Sequence, residues 1–275
     1  MGIWSRMASL GRMFGMDPVK GVRSVGSLPA FLRDHRRLKA SLKESAGNDW
    51  PKGKWYPCLT DRHESSGTAC GGYFFQDLIV AQRIFAANPK KHVDVGSRID
   101  GFVAHVAAFR PIEVFDIRPQ HGKVPNMSFS VADIMNEART PADYTDSLSC
   151  LHCIEHFGLG RYGDPIDANG HLKAIRNLHR ILQTGGTFYL GTPIGPQRIE
   201  FNSQRVFGVD YLARILEEYF DITRVSYIDD AGQLHENIPN WRELAPTHFG
   251  CQTGCGVFEM TKRSKQTCIA TGSSS

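Results

Sequence analysis

Two groups of residues in this chain have the types and spacing to do chemistry. The first is a train of acids around a glycine turn. Asp94-Val-Gly96 ends the apolar run that starts at Lys91, Asp116 ends Ile112-Glu-Val-Phe-Asp116, and Asp133 ends Met127-Ser-Phe-Ser-Val-Ala-Asp133. A strand that runs through a glycine-containing turn into a helix, here Phe102 to Phe109, is the usual cradle for a nucleotide-like ligand. An acid about 20 residues after such a turn is the expected partner of a ribose hydroxyl pair. A third acid would complete a nucleoside pocket. The second group is His152-Cys-Ile-Glu-His156, which leaves another apolar strand. A histidine near its unperturbed pKa can take a proton from a hydroxyl, so His156 and Glu155 are the candidate catalytic pair. The plainer reading of Glu155 is a group that caps or orients the loop.

The same segment matches the His-x-x-Glu-His order of inverted zinc peptidases, which requires the three side chains on one helical face. A segment that passes from a strand into a glycine-rich loop has no such face, so no metal is expected. Cys150 with Cys153 and Cys251 with Cys255 allow a four-thiolate site on paper, but residues at the first spacing point to opposite faces of an extended strand. Buried thiols are the expectation. For a substrate, the loop Gly158-Leu-Gly-Arg-Tyr-Gly-Asp164 and the segment Phe201-Asn-Ser-Gln-Arg-Val-Phe207 offer Arg161, Tyr162, Asp164, Asn202 and Arg205. These can bind hydroxyls or an anionic group through directed hydrogen bonds. An ordered lid bonded to itself is the alternative.

Such residues need a scaffold, and composition bounds what it is. The chain has 275 residues, 41% hydrophobic and 22% charged, which suits an ordinary globular core. A net charge of +4 is too mild to argue for nucleic acid, which calls for a concentrated basic stripe. Seven scattered cysteines, an odd number, favour free thiols and a cytoplasmic location. No run approaches the roughly 20 apolar residues of a spanning helix. Residues 1 to about 28 carry apolar side chains at near-helical spacing between Arg6, Arg12, Lys20 and Arg23. They read either as an amphipathic helix on a membrane surface or as a packed or frayed extension.

Taken in order, periodicity predicts a helix over Ser27 to Leu42 and then an ordered loop from Ser45 to Gly72, packed down by Trp50, Trp55 and Tyr56. Helices are expected over Tyr73 to Ala87, Phe102 to Phe109, Asn169 to Leu182 (stopped by Gly185-Gly186) and Asp210 to Tyr219. Strands end at Gly96, Asp116, Asp133, His152, Pro193, Ile228 and Thr261. Alternation of this kind implies an α/β fold with a doubly wound, mainly parallel seven-stranded sheet. Residues 1–72 form an N-terminal helical and loop extension, 73–263 the α/β domain, and 264–275 a disordered tail.

The order of these elements resembles the class I S-adenosylmethionine-dependent methyltransferase superfamily, a Rossmann-like fold, over about Lys91 to Met260. Val93-Asp-Val-Gly96, Asp116, the Ala-Asp133 pair, Leu151-His-Cys-Ile-Glu-His156 and Leu178-His-Arg-Ile-Leu-Gln-Thr-Gly-Gly-Thr-Phe-Tyr-Leu190 carry it. More narrowly, Tyr56-Pro-Cys-Leu-Thr-Asp-Arg62, Asp116-Ile-Arg-Pro119 and the loops at 155–164 and 201–207 look like an uncharacterised, methyltransferase-like domain-of-unknown-function family. The resemblance implies S-adenosylmethionine as cofactor, bound by Asp94, Gly96, Arg98, Gly101, Asp116, Asp133 and His152. It also implies a small-molecule acceptor, for which the polar loops suggest a sugar or glycan-precursor hydroxyl. One departure stands out. The superfamily turn reads Asp-x-Gly-x-Gly-x-Gly, whereas this chain has Arg98 and Asp100 at the second and third glycine positions and Gly101 one place late. Arg98 either pairs with the cofactor carboxylate or blocks the pocket, leaving a non-catalytic binding module that keeps the fold.

Overall fold

The computed structural model describes residues 18–44, 50, 53–64 and 67–263. Most of the N-terminal amphipathic segment and the tail from 264 lie outside them. The chain divides between Thr68 and Ala69 into two compact units. In the first, helix α1 covers Pro18–Glu44 and starts earlier than periodicity suggests, running through Pro29. Phe31 and His35 lie against Trp55, at ring separations of 5.7 and 4.8 Å, and Arg62 pairs with Asp34. Of the loop aromatics expected to pack down, Trp55 makes these ring contacts. Trp50 and Tyr56 are both largely exposed.

The second unit is built on one sheet. Its strands are β1 (His92–Val95), β2 (Ile112–Asp116), β3 (Met127–Val131), β4 (Thr145–Leu151), β5 (Leu182–Ile194), β8 (Phe220–Ile228), β9 (Leu234–His235) and β10 (Gly254–Lys262). They lie in the order β3-β2-β1-β4-β5-β10-β8-β9. β6 (Arg198–Glu200) and β7 (Gln204–Val206) form a separate hairpin. The strands from β3 to β5 pair in parallel, while β10 runs antiparallel to both neighbours. The main sheet therefore has eight strands, one more than expected. The addition, two-residue β9, folds back on β8 through the turn Asp229–Gly232 and is too short to show a period.

Alternation along the strands sends side chains into two cores. Val93, Val95, Leu148, Phe188, Leu190 and Phe258 face α4 (Gly170–Ile181) and α5 (Val209–Glu217) on one side. Ile112, Val114, Leu151, Tyr189 and Val257 face α2 (Gly72–Ala87) and α3 (Ala104–Ala107) on the other. Each fully buried Leu or Ile on these faces contributes roughly 1.5–3 kcal/mol. Helix α2 ends as predicted, with Asn88 in left-handed conformation before Pro89. Helix α4 ends differently. Its chain turns extended at Leu182, so the glycine pair lies inside the start of β5, where Gly185 takes φ +76°. A π-helical turn over Ile99–Val103 precedes α3, so the helix expected over 102–109 is shorter and starts irregularly.

Candidate functional site

The C-terminal ends of β1, β2 and β4 open onto a cavity of about 340 Å³. This lies within the range of small-molecule sites, at the edge of the sheet where open α/β folds bind ligands. It owes its position to the turn after β1. Asp94 is fully buried and its carboxylate accepts hydrogen bonds from the Ser97 N–H (3.0 Å), the Ser97 hydroxyl (2.7 Å) and the Ser149 hydroxyl of β4. Burial pushes its pKa up to about 6 against these bonds. Asp94 thus braces the turn from behind and does not line the cavity. Gly96 does, at φ +70°, and a Cβ there would lie 2.3 Å from the Cys153 sulfur. Packing against Cys153, together with the backbone angle, is what requires glycine. Gly101 serves packing too, since a Cβ on it would meet the Asp77 carboxylate at 2.8 Å, away from the cavity.

Arg98 stands at the cavity rim and does not fill it. Its guanidinium makes a two-pronged pair with Asp100, at 3.0 and 2.7 Å, and its side chain is 66% exposed. Asp116 and Asp133 both line the wall. Asp133 accepts from the Met135 N–H at 2.9 Å. Asp116 is held by Arg118, whose backbone N–H (2.8 Å), Nε (3.0 Å) and Nη2 (2.7 Å) all donate to it. The Arg118 guanidinium also lies 4.3 Å from the centre of the Tyr162 ring. Tyr162 belongs to the loop after β4, so Arg118 bridges two sides of the cavity.

His152, Glu155 and His156 meet beside it, although the backbone there is a left-handed residue, His152 at φ +51°, followed by one 3-10 turn. The helical face a zinc peptidase needs is absent. The same bend brings Cys153 back beside Cys150, whose hydrogen bond helps push the Cys153 thiol well above its ordinary pKa. The opposite-face expectation for this pair fails because β4 ends at Leu151. Among the described residues no group of three or more His, Cys, Asp or Glu is placed to hold a metal ion. The Glu155 carboxyl Oε1 is 3.7 Å from both His152 Nδ1 and His156 Nε2, and its Oε2 accepts from Thr192 at 3.3 Å. Burial drives Glu155 up to about 8 and both histidines down to about 4. His156 is therefore a weaker base than an unperturbed histidine. Its Nδ1 lies 2.7 Å from the Ser203 carbonyl, which can only accept, so Nδ1 carries the hydrogen and Nε2 the lone pair. His152 Nδ1 is buried without a partner.

Of the substrate candidates, Arg161, Tyr162 and Asp164 line the cavity, but Asn202 and Arg205 do not. The Asp164 carboxylate is occupied by the N–H groups of Gly158, Gly160 and Tyr162. Arg205 is buried and donates to the carbonyls of Phe157 and Ala168, tying the two loops together. Arg161 donates to the Ser203 carbonyl. Sequence reasoning missed three residues here. Arg118 had a usable signal, an arginine two places after a strand-end acid. Tyr73, whose ring edge meets His152 at 4.3 Å, and Cys153 under the glycine turn had none, because those contacts are made only by folding.

A family model described as "Caenorhabditis protein of unknown function, DUF268" matches residues 116–235. No curated protein matches the chain. Solved structures with a similar course include the N-methyltransferase NodS from Bradyrhizobium japonicum WM9 in complex with S-adenosylhomocysteine. It is 15% identical, covers 82% of this chain and 98% of its own, and has a TM-score of 0.48. The 1,6-didemethyltoxoflavin-N1-methyltransferase of Burkholderia thailandensis is 14% identical over 69% of this chain and 79% of its own, with a TM-score of 0.48. A parallel run β3-β2-β1-β4-β5 continued by β10 and β8, with β10 reversed, is the strand plan of the class I methyltransferases. The chain therefore has the class I methyltransferase fold, and its residues 116–235 carry the match to the uncharacterised DUF268 family.

Proposed function

We propose that the chain is an S-adenosylmethionine-dependent methyltransferase acting on a small molecule, with a sugar or other hydroxyl as acceptor. The observation that carries this is a single cavity walled by Gly96, Asp116 and Asp133 at the ends of three adjacent parallel strands. The residues fit the cofactor. The turn is braced by buried Asp94, and Asp133 presents a carboxylate to the cavity. Asp116 fits a ribose pair once Arg118 shares or yields its oxygens, and Arg98 at the rim suits a carboxylate. Bound there, S-adenosylmethionine supplies an electrophilic methyl group.

What the chain supplies is position and a proton acceptor. Glu155, ionised above about pH 8, is the stronger base of the cluster and receives at Oε1 the proton released by the acceptor hydroxyl. His156 Nε2, left with its lone pair by the Ser203 bond, and His152 Nδ1 flank that oxygen at 3.7 Å without bonding it. Arg161 and Tyr162 close the outer wall. The Arg118 clamp on Asp116 favours the second reading, a binding module that keeps the fold without the reaction. Titration calorimetry with S-adenosylmethionine and S-adenosylhomocysteine tests the proposal. One-to-one binding of both is expected, and no heat from either at millimolar concentration, with the protein shown folded, removes the enzyme reading.

A further inference from the structure

Behind His152 lies a second chamber of about 200 Å³, at the ends of β5, β8 and β10. It shares two wall residues, Tyr73 and His152, with the main cavity. We propose that this chamber seats the methyl acceptor, and that the acceptor is a small uncharged compound offering hydroxyl groups. The inference rests on the cofactor reading of the main cavity.

The two spaces differ in chemistry. Arg98, Arg118 and Arg161 line the main cavity, whereas among the described residues the chamber wall holds no arginine or lysine. An anionic ligand seated on these groups would meet no cationic side chain of the wall. A cation fares little better. Asp229, the one wall acid held below its ordinary pKa, has its oxygens taken by His235 at 2.8 Å and by the N–H groups of Ala231 and Gln233, both at 2.9 Å. Glu155, the other wall acid, keeps its proton near neutral pH because burial raises its pKa. The remaining polar wall groups include the Tyr73 hydroxyl, the Gln204 amide and the imidazole of His152. All are neutral hydrogen-bonding groups suited to hydroxyls. The geometry adds an independent sign. His152 Nδ1 is buried with no partner, and Glu155 Oε1 stands 3.7 Å away, too far for a bond. A polar ligand drawing Glu155 or His152 inward completes what the chain alone leaves unmade.

The test uses the full chain with 13C-labelled histidine, read by two-dimensional NMR, with His152 assigned through His152→Gln. The probes are glycerol, myo-inositol, methylammonium and inorganic phosphate. With the main cavity first saturated by S-adenosylhomocysteine, because His152 lines both spaces, saturable movement of the His152 signal is expected with one or both polyols and with neither ion. Gly72→Ala should weaken that response at least tenfold. Its Cβ would come 3.1 Å from the Cys255 Cβ and 3.4 Å from His152 Nε2, narrowing the chamber from a position that does not itself line the main cavity. Thermal unfolding within a few degrees of the parent shows that the variant is folded, and its affinity for S-adenosylhomocysteine should stay within twofold. The inference is overturned if S-adenosylhomocysteine binds but neither polyol moves the signal, if either ion moves it, or if Gly72→Ala leaves the response unchanged. A polyol response without any S-adenosylhomocysteine binding instead overturns the cofactor reading and leaves the chamber a polyol site.

Discussion

Replacing Glu155 by glutamine removes the most strongly perturbed carboxyl of the site. The folded chain holds this proton up to about pH 8, against an ordinary value of 4.5, because the group is fully buried. A carboxyl whose pKa is raised on folding weakens the fold as pH rises. Below pH 4.5 both states are protonated and nothing is lost. Between 4.5 and 8 the unfolded chain ionises while the folded one does not, and above 8 the penalty is constant. The full shift corresponds to roughly 5 kcal/mol, and relaxation of the buried site brings the expected value to about 2–5 kcal/mol. Glu155→Gln lacks this penalty. Its stability relative to the parent should be near zero below pH 4.5, climb through pH 6 and 7, and level off above 8. His152 and His156, lowered to about 4, cost stability in the opposite direction, as pH falls from 6.5 to 4. They are present in both proteins, so the difference isolates Glu155. Urea unfolding of both proteins at unit steps from pH 4 to 9 measures it. A difference that is flat with pH, or a variant less stable than the parent at pH 8 and 9, would refute the reasoning.

Gly96→Ala places a methyl group 2.3 Å from the Cys153 sulfur at φ +70°. It should cost about 2–4 kcal/mol and abolish S-adenosylhomocysteine binding; adding Cys153→Ala should return part of the stability, as read by urea unfolding, and no recovery would place the strain elsewhere. Arg118→Ala removes both guanidinium bonds to Asp116 and leaves only the backbone N–H on Oδ1, and should tighten S-adenosylhomocysteine binding several-fold by calorimetry. Tenfold weaker binding would instead make Arg118 part of the ligand's own contact set.

The sheet was legible in the sequence because its central strands are apolar runs ended by Gly, Asp, His or Pro, and α4 and α5 carry a clear apolar stripe. Leu178 and Ile181 on α4 fall where periodicity puts them, fully buried. What escaped were features made by long-range contact. β9 is too short to have a pattern, and in the π turn at Ile99–Val103 Gly101 sits where a Cβ would meet the Asp77 carboxylate, a contact that no local pattern marks. In the site, the acids at strand ends could be read, but their partners could not. Nothing local marks Asp94 as a brace tied to Ser149, or Asp116 as an acid already held by Arg118. The histidine pair was visible as a motif. Its low basicity was not, because it comes from burial beneath loops and α2, elements distant in sequence.

A crystal of the chain grown with S-adenosylhomocysteine would locate the cofactor site. Density for the ligand is expected in the 340 Å³ cavity, its ribose at Asp116 with the Arg118 guanidinium displaced or sharing, and its base near Asp133. An occupied site elsewhere, or this cavity empty with Arg118 still clamped on Asp116 at saturating ligand, would contradict this placement.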